Sequence, residues 1–417
     1  MKKKICFVNL GCKVNQYELD GILNSVKDDF DVVPMLEYAD IYVVNTCAVT
    51  SEAERKSRQY ISKILKINSN AEIYVYGCAS QNNPEQFLKF KQVKLVGGNN
   101  KKGQFKNYFG KSGNFVCPVT TQYEDDILAT NVRTRGYVKI QDGCNNFCSY
   151  CLIPYVRGRS RSRALSSIVN EATLLSKTCK EIVLTGINVS DYRIDGALAL
   201  PQVFKALSHL PCRIRMSSFE VNIVTEEFLQ VVSSMPNFCP HFHLSLQSGC
   251  DKVLKDMNRH YTTKEFLAKV NLIRKFFKNP AITTDLIVGF PTESDKDFDD
   301  TLAFLQKVGF ASVHYFAYSS REGTRASALP QLNGEVIKTR EKRLKEVVLS
   351  LKESFLKKNI NLVHEVLIEE SENGISHGFS KNYIKCYVQG DCKPNTIVLA
   401  KANKLYKDGL LCEIILE

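Results

Sequence analysis

Short apolar runs alternate with stretches of helical period over the first third of the chain. Residues 5–10 read as a strand, after which Asn15 and Glu18 carry the spacing of a capping box that opens a helix. Residues 41–45 give a second, buried-type strand, and Ser51 with Glu54 repeats the capping spacing. Residues 73–76 give a third, with Pro84 placed to begin the next helix. Strand–loop–helix units in series predict a doubly wound parallel sheet, an α/β arrangement. The charged, turn-forming stretches around 99–102 and 111–126 suit a linker or an edge crossing.

The middle of the chain repeats the alternation six times, with strands expected at 137–141, 181–185, 213–217, 242–246, 282–288 and 313–318. Six such units predict a partial (β/α)6 barrel, open on one side, with its chemistry on the loops after the strands. A single lysine-rich helix follows over 335–358. Beyond it, β-type runs at 363–370, 384–389, 396–400 and 411–416 are separated by Gly, Asn and Asp turns, which describes a small all-β barrel. The pattern divides the chain into units at 1–125, 130–360 and 361–417, consistent with a length of 417 residues, too long for one ordinary core.

Composition narrows the class. Hydrophobic residues at 44% and charged residues at 24% are the balance of a globular protein, and no apolar run approaches the roughly 18 residues that span a bilayer. The apolar run after Met1-Lys2-Lys3-Lys4 is too short for a secretory signal, so a cytoplasmic protein is expected. In a reducing compartment, 15 cysteines point to metal or redox chemistry rather than disulfides. Only seven histidines are present, none in a zinc-like pair beside the cysteines, which favours iron–sulfur ligation. The net charge of +12 fits a polyanionic partner.

Two cysteine trios stand out. Cys12, Cys47 and Cys78 each lie just beyond a predicted strand, so the fold would gather them on the carboxyl edge of one sheet, where such sheets hold ligands. Spacing alone fits three small hydrophobes equally well. Cys144, Cys148 and Cys151 form C-x3-C-x2-C directly after the first barrel strand, a pattern with a chance expectation of roughly 0.02 in such a chain. Three thiolates at this spacing hold three irons of a [4Fe–4S] cube. The fourth iron is left to chelate S-adenosylmethionine and pass an electron into its sulfonium. Zinc would require a fourth ligand, and no nearby His or Cys completes one. Cys6 lies within a strand and reads as core. The other cysteines show no ligand spacing.

These residues resemble the radical-SAM methylthiotransferases. The likeness rests on Gly143-Cys144 through Cys151-Leu152-Ile153-Pro154. It rests equally on Gly11-Cys12-Lys13-Val14-Asn15-Gln16-Tyr17-Glu18, Asn45-Thr46-Cys47-Ala48-Val49-Thr50 and Tyr76-Gly77-Cys78-Ala79. It runs over essentially the whole chain and implies an N-terminal methylthiotransferase domain, a radical-SAM core and a C-terminal TRAM-like barrel. It also implies a second [4Fe–4S] cluster on Cys12, Cys47 and Cys78. Two S-adenosylmethionine molecules would be used, one as methyl donor and one as source of a 5′-deoxyadenosyl radical. An electron donor such as flavodoxin or ferredoxin is implied as well.

Within the family, the run after Cys12 and the run 153–163 resemble the branch acting on N6-threonylcarbamoyladenosine at position 37 of tRNA, next to the anticodon. The other branches act on isopentenyladenosine in tRNA or on a ribosomal-protein aspartate. Outside the two-cluster family, a one-cluster radical-SAM methylase and an iron–sulfur RNA-binding redox sensor remain as alternatives.

Contacts to substrate are less sharply marked. Arg157, Arg159, Arg161 and Arg163 suit either RNA phosphates or acids inside the barrel. Lys338, Arg340, Lys342, Arg343 and Lys345 form a basic run that fits a tRNA backbone or a solvated helix face. Residues 362–417 carry six lysines and no arginine against eight acids, so RNA binding there would need a local patch such as Lys381 and Lys385, with Tyr383 for stacking. Thr185, Gly186, Ser218, Gln247 and Asp285 end or follow barrel strands where S-adenosylmethionine contacts are expected, although ordinary loop and capping roles fit them too.

Overall fold

A computed structural model describes residues 2–124 and 134–415. The segment joining the first two predicted units therefore lies largely outside the described residues. The N-terminal sheet has six parallel strands in the spatial order Asp31–Val33, Lys4–Asn9, Ile41–Thr46, Glu72–Gly77, Val93–Gly97 and Gly113–Phe115. The order reverses direction between Lys4–Asn9 and Ile41–Thr46, which makes their carboxyl ends a topological switch point, where open α/β sheets leave a crevice. The three outer strands were not legible as strands; they are short, and 113–115 contains only one large apolar side chain.

Both expected capping boxes are corrected. The first helix, Lys13–Val26, takes Cys12 as its N-cap, with no side-chain capping bond. Asn15 and Glu18 turn inward instead, each only 1% exposed. The second, Ser51–Ile67, is capped by Thr50, whose hydroxyl accepts from the Ala53 N–H. Ser51 and Glu54 are freed for contacts across the molecule: Ser51 N–H donates to Ser319 Oγ (2.9 Å), and Glu54 pairs with Arg321 (2.5 Å).

All six central strands form: Arg135–Asp142, Glu181–Gly186, Arg213–Met216, His241–His243, Ala281–Val288 and Ser312–Ala317. They make two sheets linked by single parallel bridges such as Phe219–Leu244 and Ile214–Phe238, giving a curved half-barrel whose two outer strands do not meet. The N-terminal unit bridges that opening. Helix Lys13–Val26 packs on the Arg135–Asp142 side, while Ser51 and Glu54 hold the segment after the last strand.

The C-terminal unit is a closed five-stranded barrel in the order Val363–Glu372, Ile375–Ser380, Lys385–Gln389, Gly409–Ile414 and Ile397–Tyr406. Strand Ile375–Ser380 escaped the sequence reading because its inward positions are Ser376, Gly378 and Ser380. A Cβ at Gly378 would collide with the Leu367 carbonyl, so the small residue is what lets neighbouring backbones close. The long helix forms at Gly334–Lys357, but part of its basic run is neutralised within the fold. Arg340 is buried against Glu293 (2.8 Å) and Asp295 (2.7 Å), and Arg343 pairs with Asp299 (2.7 Å).

A candidate active site between the two sheets

Sheet register gathers the first trio. Thr46 and Gly77 are cross-strand partners, so Cys47 and Cys78, the next residues, leave adjacent strands side by side. Gly77 has φ +114°, and a Cβ there would run into the Thr46 carbonyl oxygen; glycine is required for this approach. Cys12 joins them through its helix. Asn15 Nδ2 donates to Asn45 Oδ1 (3.2 Å) and the Thr46 carbonyl (3.1 Å), and Asn45 Nδ2 donates back to the Asn15 carbonyl (2.8 Å). The first turn of helix Lys13–Val26 is thereby tied to the end of the central strand. The three sulfurs feel one another electrostatically, and burial raises the Cys12 thiol and pushes that of Cys47 up to about 12.

The second trio sits on the loop after Arg135–Asp142, clamped on several sides. Asn258 Nδ2 donates to the carbonyls of Asn146 (3.0 Å) and Phe147 (3.1 Å), and the Ser149 N–H and hydroxyl donate to the Met257 (3.0 Å) and Asp256 (2.8 Å) carbonyls. Burial pushes the Cys144 thiol to about 11 and the Cys151 thiol to about 12. A metal bound at Cys144 and Cys151 would have to displace their protons, as at any metal-binding thiolate site.

The donor chemistry of both trios fits an iron–sulfur cluster. All six donors are thiols, and a cationic guanidinium is set on a sulfur in each trio: Arg157 Nε on Cys78 (3.2 Å) and Arg259 Nη1 on Cys148 (3.2 Å). Among the described residues no three His, Cys, Asp or Glu side chains are gathered as one metal ion requires. A mononuclear thiolate site would bring sulfurs to about 3.8 Å, whereas a cubane takes one thiolate per iron and spreads them wider.

Arg157 is the junction of the two sheets. It is fully buried, six residues past Cys151, a span of at most about 21 Å when extended. The helical turn Ile153–Val156 before it packs into the N-terminal core beside Cys78, and Asn99 Nδ2 donates to the Val156 carbonyl (2.8 Å). Arg157 itself pairs with Glu18 (2.7 Å) and Asp142 (3.2 Å) and donates to Asn15 Oδ1 (3.2 Å). Lys102 and Lys139 complete the shell around Glu18. Burial alone would raise the Glu18 carboxyl, yet Arg157, Lys102 and Lys139 hold it well below the usual range. Asn99 and Lys102, expected in a linker, are thus interior residues of the junction.

The arginine run resolves the same way. Arg161 pairs with Asp142 (3.2 Å) and Arg163 with Glu171, both buried, which takes Arg157, Arg161 and Arg163 away from any RNA backbone. Arg159 is exposed, its guanidinium 4.3 Å from the Phe147 ring centroid.

The C-terminal patch of Lys381, Tyr383 and Lys385 lies at the joint with the half-barrel. The turn after Ile375–Ser380 plugs the amino-terminal end of the half-barrel. Tyr383 stacks on His241 (4.7 Å, 7°) and Phe379 (4.7 Å), beneath the Arg215 guanidinium (4.7 Å). Lys381 pairs with Glu365 (2.6 Å) and Lys385 with Asp408 (3.3 Å). Tyr383 is a seal between units, and its ring faces are occupied by protein.

Above that plug lies a cavity of about 580 Å³, running up the half-barrel to Lys13. Ser218 and Asp285 line it, and Asp285 faces His243 (3.1 Å). Thr185, Gly186 and Gln247 serve the backbone under the mouth: Thr185 is buried opposite Lys139, Gly186 opposite Gln141, and Gln247 N–H donates to the Asp285 carbonyl (3.0 Å). A second, polar cavity of about 260 Å³ opens beside the cysteine loop, lined by Asn145, Asn188, Glu220 and Arg259 among others. Arg259 bonds Glu220 as well as Cys148. Sequence reading missed this pair because Glu220 and Arg259 follow different strands and meet only at the barrel mouth.

Comparison with known proteins agrees with this architecture. Residues 138–305 match the Radical SAM superfamily and residues 4–98 match the uncharacterized protein family UPF0004. The chain is 36% identical to the threonylcarbamoyladenosine tRNA methylthiotransferase MtaB of Chlamydia pneumoniae, over 99% of this chain and 98% of that protein. It is 35% identical to a tRNA-2-methylthio-N(6)-dimethylallyladenosine synthase of Azobacteroides pseudotrichonymphae, over 91% and 87%. The solved structure of the radical S-adenosylmethionine methyltransferase TsrM from Kitasatospora setae shares the fold, with a TM-score of 0.57 at 13% identity, over 78% of this chain and 77% of that one.

Proposed function

Because the chain belongs to the radical-SAM methylthiotransferase family, we propose that it converts N6-threonylcarbamoyladenosine at position 37 of tRNA into its 2-methylthio derivative. The observation that carries this reading is the Arg157 junction. A side chain six residues beyond the Cys144–Cys148–Cys151 loop donates to Cys78, which ties the loop carrying one trio to the sheet carrying the other. The proposal includes a cluster on each trio, a cytoplasmic location and an electron donor such as flavodoxin or ferredoxin. It assigns the units 1–125, 130–360 and 361–417 to second cluster, radical chemistry and closure of the barrel. Among the described residues no helix is long and apolar enough to cross a membrane.

Cys144, Cys148 and Cys151 would hold a [4Fe–4S] cluster, which would supply the one electron needed to cleave S-adenosylmethionine into methionine and the 5′-deoxyadenosyl radical. Arg259 neutralises thiolate charge at Cys148 while Asn258 and Ser149 hold the loop backbone. The polar cavity beside Asn188, Glu220 and Arg259 suits the charged amino-acid end of S-adenosylmethionine, with Glu220 able to accept from an ammonium. On the facing sheet, Arg157 and Asn15 fix the first-trio sulfurs relative to that loop. The adenine then lies in the large cavity, shielded from water below by Tyr383 and Phe379.

The Lys13 and Lys352 ammoniums on the lining of that cavity, which make no ion pair among the described residues, favour a carboxylate-bearing base over an apolar isopentenyl group. Mass spectrometry of tRNA nucleosides from a strain lacking the gene, with and without its restoration, tests the reading. Loss and return of 2-methylthio-N6-threonylcarbamoyladenosine is expected; a change in the isopentenyl nucleoside instead would overturn the substrate. Replacing Cys12, Cys47 and Cys78 by Ala together should lower iron from about eight to about four per chain and abolish methylthiolation. An iron-binding RNA sensor would yield no 5′-deoxyadenosine.

A further inference from the structure

Most charged groups around the large cavity are already paired. Arg215 pairs with Glu181 (2.7 Å) and donates to the carbonyls of Lys381 (3.0 Å) and Ser380 (3.3 Å). Arg135 pairs with Glu181 and Glu369, Lys385 with Asp408, and Asp285 faces His243. Two buried polar atoms on the lining, Ser217 Oγ and His241 Nδ1, have no hydrogen-bond partner among the described residues. Of the lining cations, the Lys13 and Lys352 ammoniums make no ion pair among those residues. Ser217 and His241 are only 6% and 7% exposed, so each carries the desolvation cost of an unmade bond. Lys13 is accessible to the cavity. Its position is fixed because it is the first residue of the helix tied to Asn45 and Thr46 through Asn15.

Unpaired groups of this kind on a cavity large enough for a nucleoside mark where a ligand makes its polar contacts. On the proposed substrate, the threonylcarbamoyl group carries one carboxylate and one hydroxyl, which the isopentenyl group lacks. We infer that Lys13 is the specificity-determining residue of this site, pairing with the threonyl carboxylate of the substrate base, with Ser217 and His241 serving its hydroxyl end. The inference rests on the threonylcarbamoyladenosine reading and deepens it. Because Lys13 directly follows Cys12, the same helix turn that carries one cysteine of the first trio would anchor the substrate. Binding of the correct base would be coupled to its placement against that trio. A base without the carboxylate would leave the ammonium unpaired in the cavity, a penalty that rejects it.

Steady-state kinetics with the reconstituted full-length protein and tRNA bearing N6-threonylcarbamoyladenosine test this. Lys13→Met should raise KM for that tRNA about tenfold to a hundredfold, the loss of one charge-assisted bond, with kcat changed far less. Lys13→Arg should recover part of the loss. Iron content and affinity for S-adenosylmethionine should match the unaltered protein in both variants. Converting the threonyl carboxylate of the tRNA to its amide should cost the unaltered protein a similar factor and cost Lys13→Met nothing further, the signature of two groups that touch. An unchanged KM, or a fall in iron or in S-adenosylmethionine affinity, overturns the Lys13 assignment while leaving the substrate reading intact. Absence of product from the unaltered protein on this tRNA would instead overturn the substrate reading itself.

Discussion

Arg157 shows how one side chain carries several jobs that a lysine could not. Its fork reaches Glu18, Asp142, Asn15 and Cys78 at once from a fully buried position. A lysine keeps the charge but loses the geometry. Arg157→Lys is expected to cut methylthiolation at least tenfold while the iron held by Cys144, Cys148 and Cys151 is retained. A hydrogen bond to a ligating sulfur stabilises the reduced cluster, so its loss should lower the midpoint potential of the first-trio cluster. Redox titration followed by electron paramagnetic resonance measures that shift, and an unchanged potential would contradict the contact with Cys78.

Strand ends and helix starts do the work at the next level up. Cys47 and Cys78 are neighbours because their strands are in register at Thr46 and Gly77, and that register tolerates no side chain at Gly77. Gly77→Ala should cost about 2 kcal/mol or more, from the collision and the positive φ together, and should release iron from the first trio before the second. Thermal unfolding followed by both ellipticity and iron absorbance would separate the two events. Equal loss of iron from both trios would show that they are not independently organised.

Across the whole molecule, the half-barrel is completed by its neighbours: the N-terminal sheet bridges its open side and the C-terminal barrel seals its lower end. Glu181 sits fully buried at that lower joint with Arg135 and Arg215. Burial would raise its carboxyl, but Arg215 most of all holds it down at about 2. A depressed carboxyl contributes stability above its unfolded pKa of 4.5, and that stability is lost as pH falls from there through about 2. The contribution at neutral pH is about 3 kcal/mol. Glu181→Gln should therefore weaken the protein at pH 7 and flatten its acid limb between those values. Acid titration of both proteins by circular dichroism checks it; parallel acid limbs would sink the idea.

Apolar periodicity and cysteine spacing by themselves determined the six central strands and the Cys144–Cys148–Cys151 trio, whereas Cys12, Cys47 and Cys78 were marked out by resemblance. Each of these two is a local property, written within a strand's length or a nine-residue loop. Only the tertiary structure decided which charges were interior. Glu18 reads in sequence as part of a helix cap, Lys102 as linker, Lys139 as part of a strand and Arg157 as suited to RNA phosphates or buried acids alike. The four come from separate segments and become one interior cluster only when the two sheets meet. Tyr383, a stacking candidate in sequence, stacks in the fold on His241 and Phe379 of the protein itself. A buried ion pair has no period and no spacing, because its cost of desolvation is met by partners that sequence distance does not reveal.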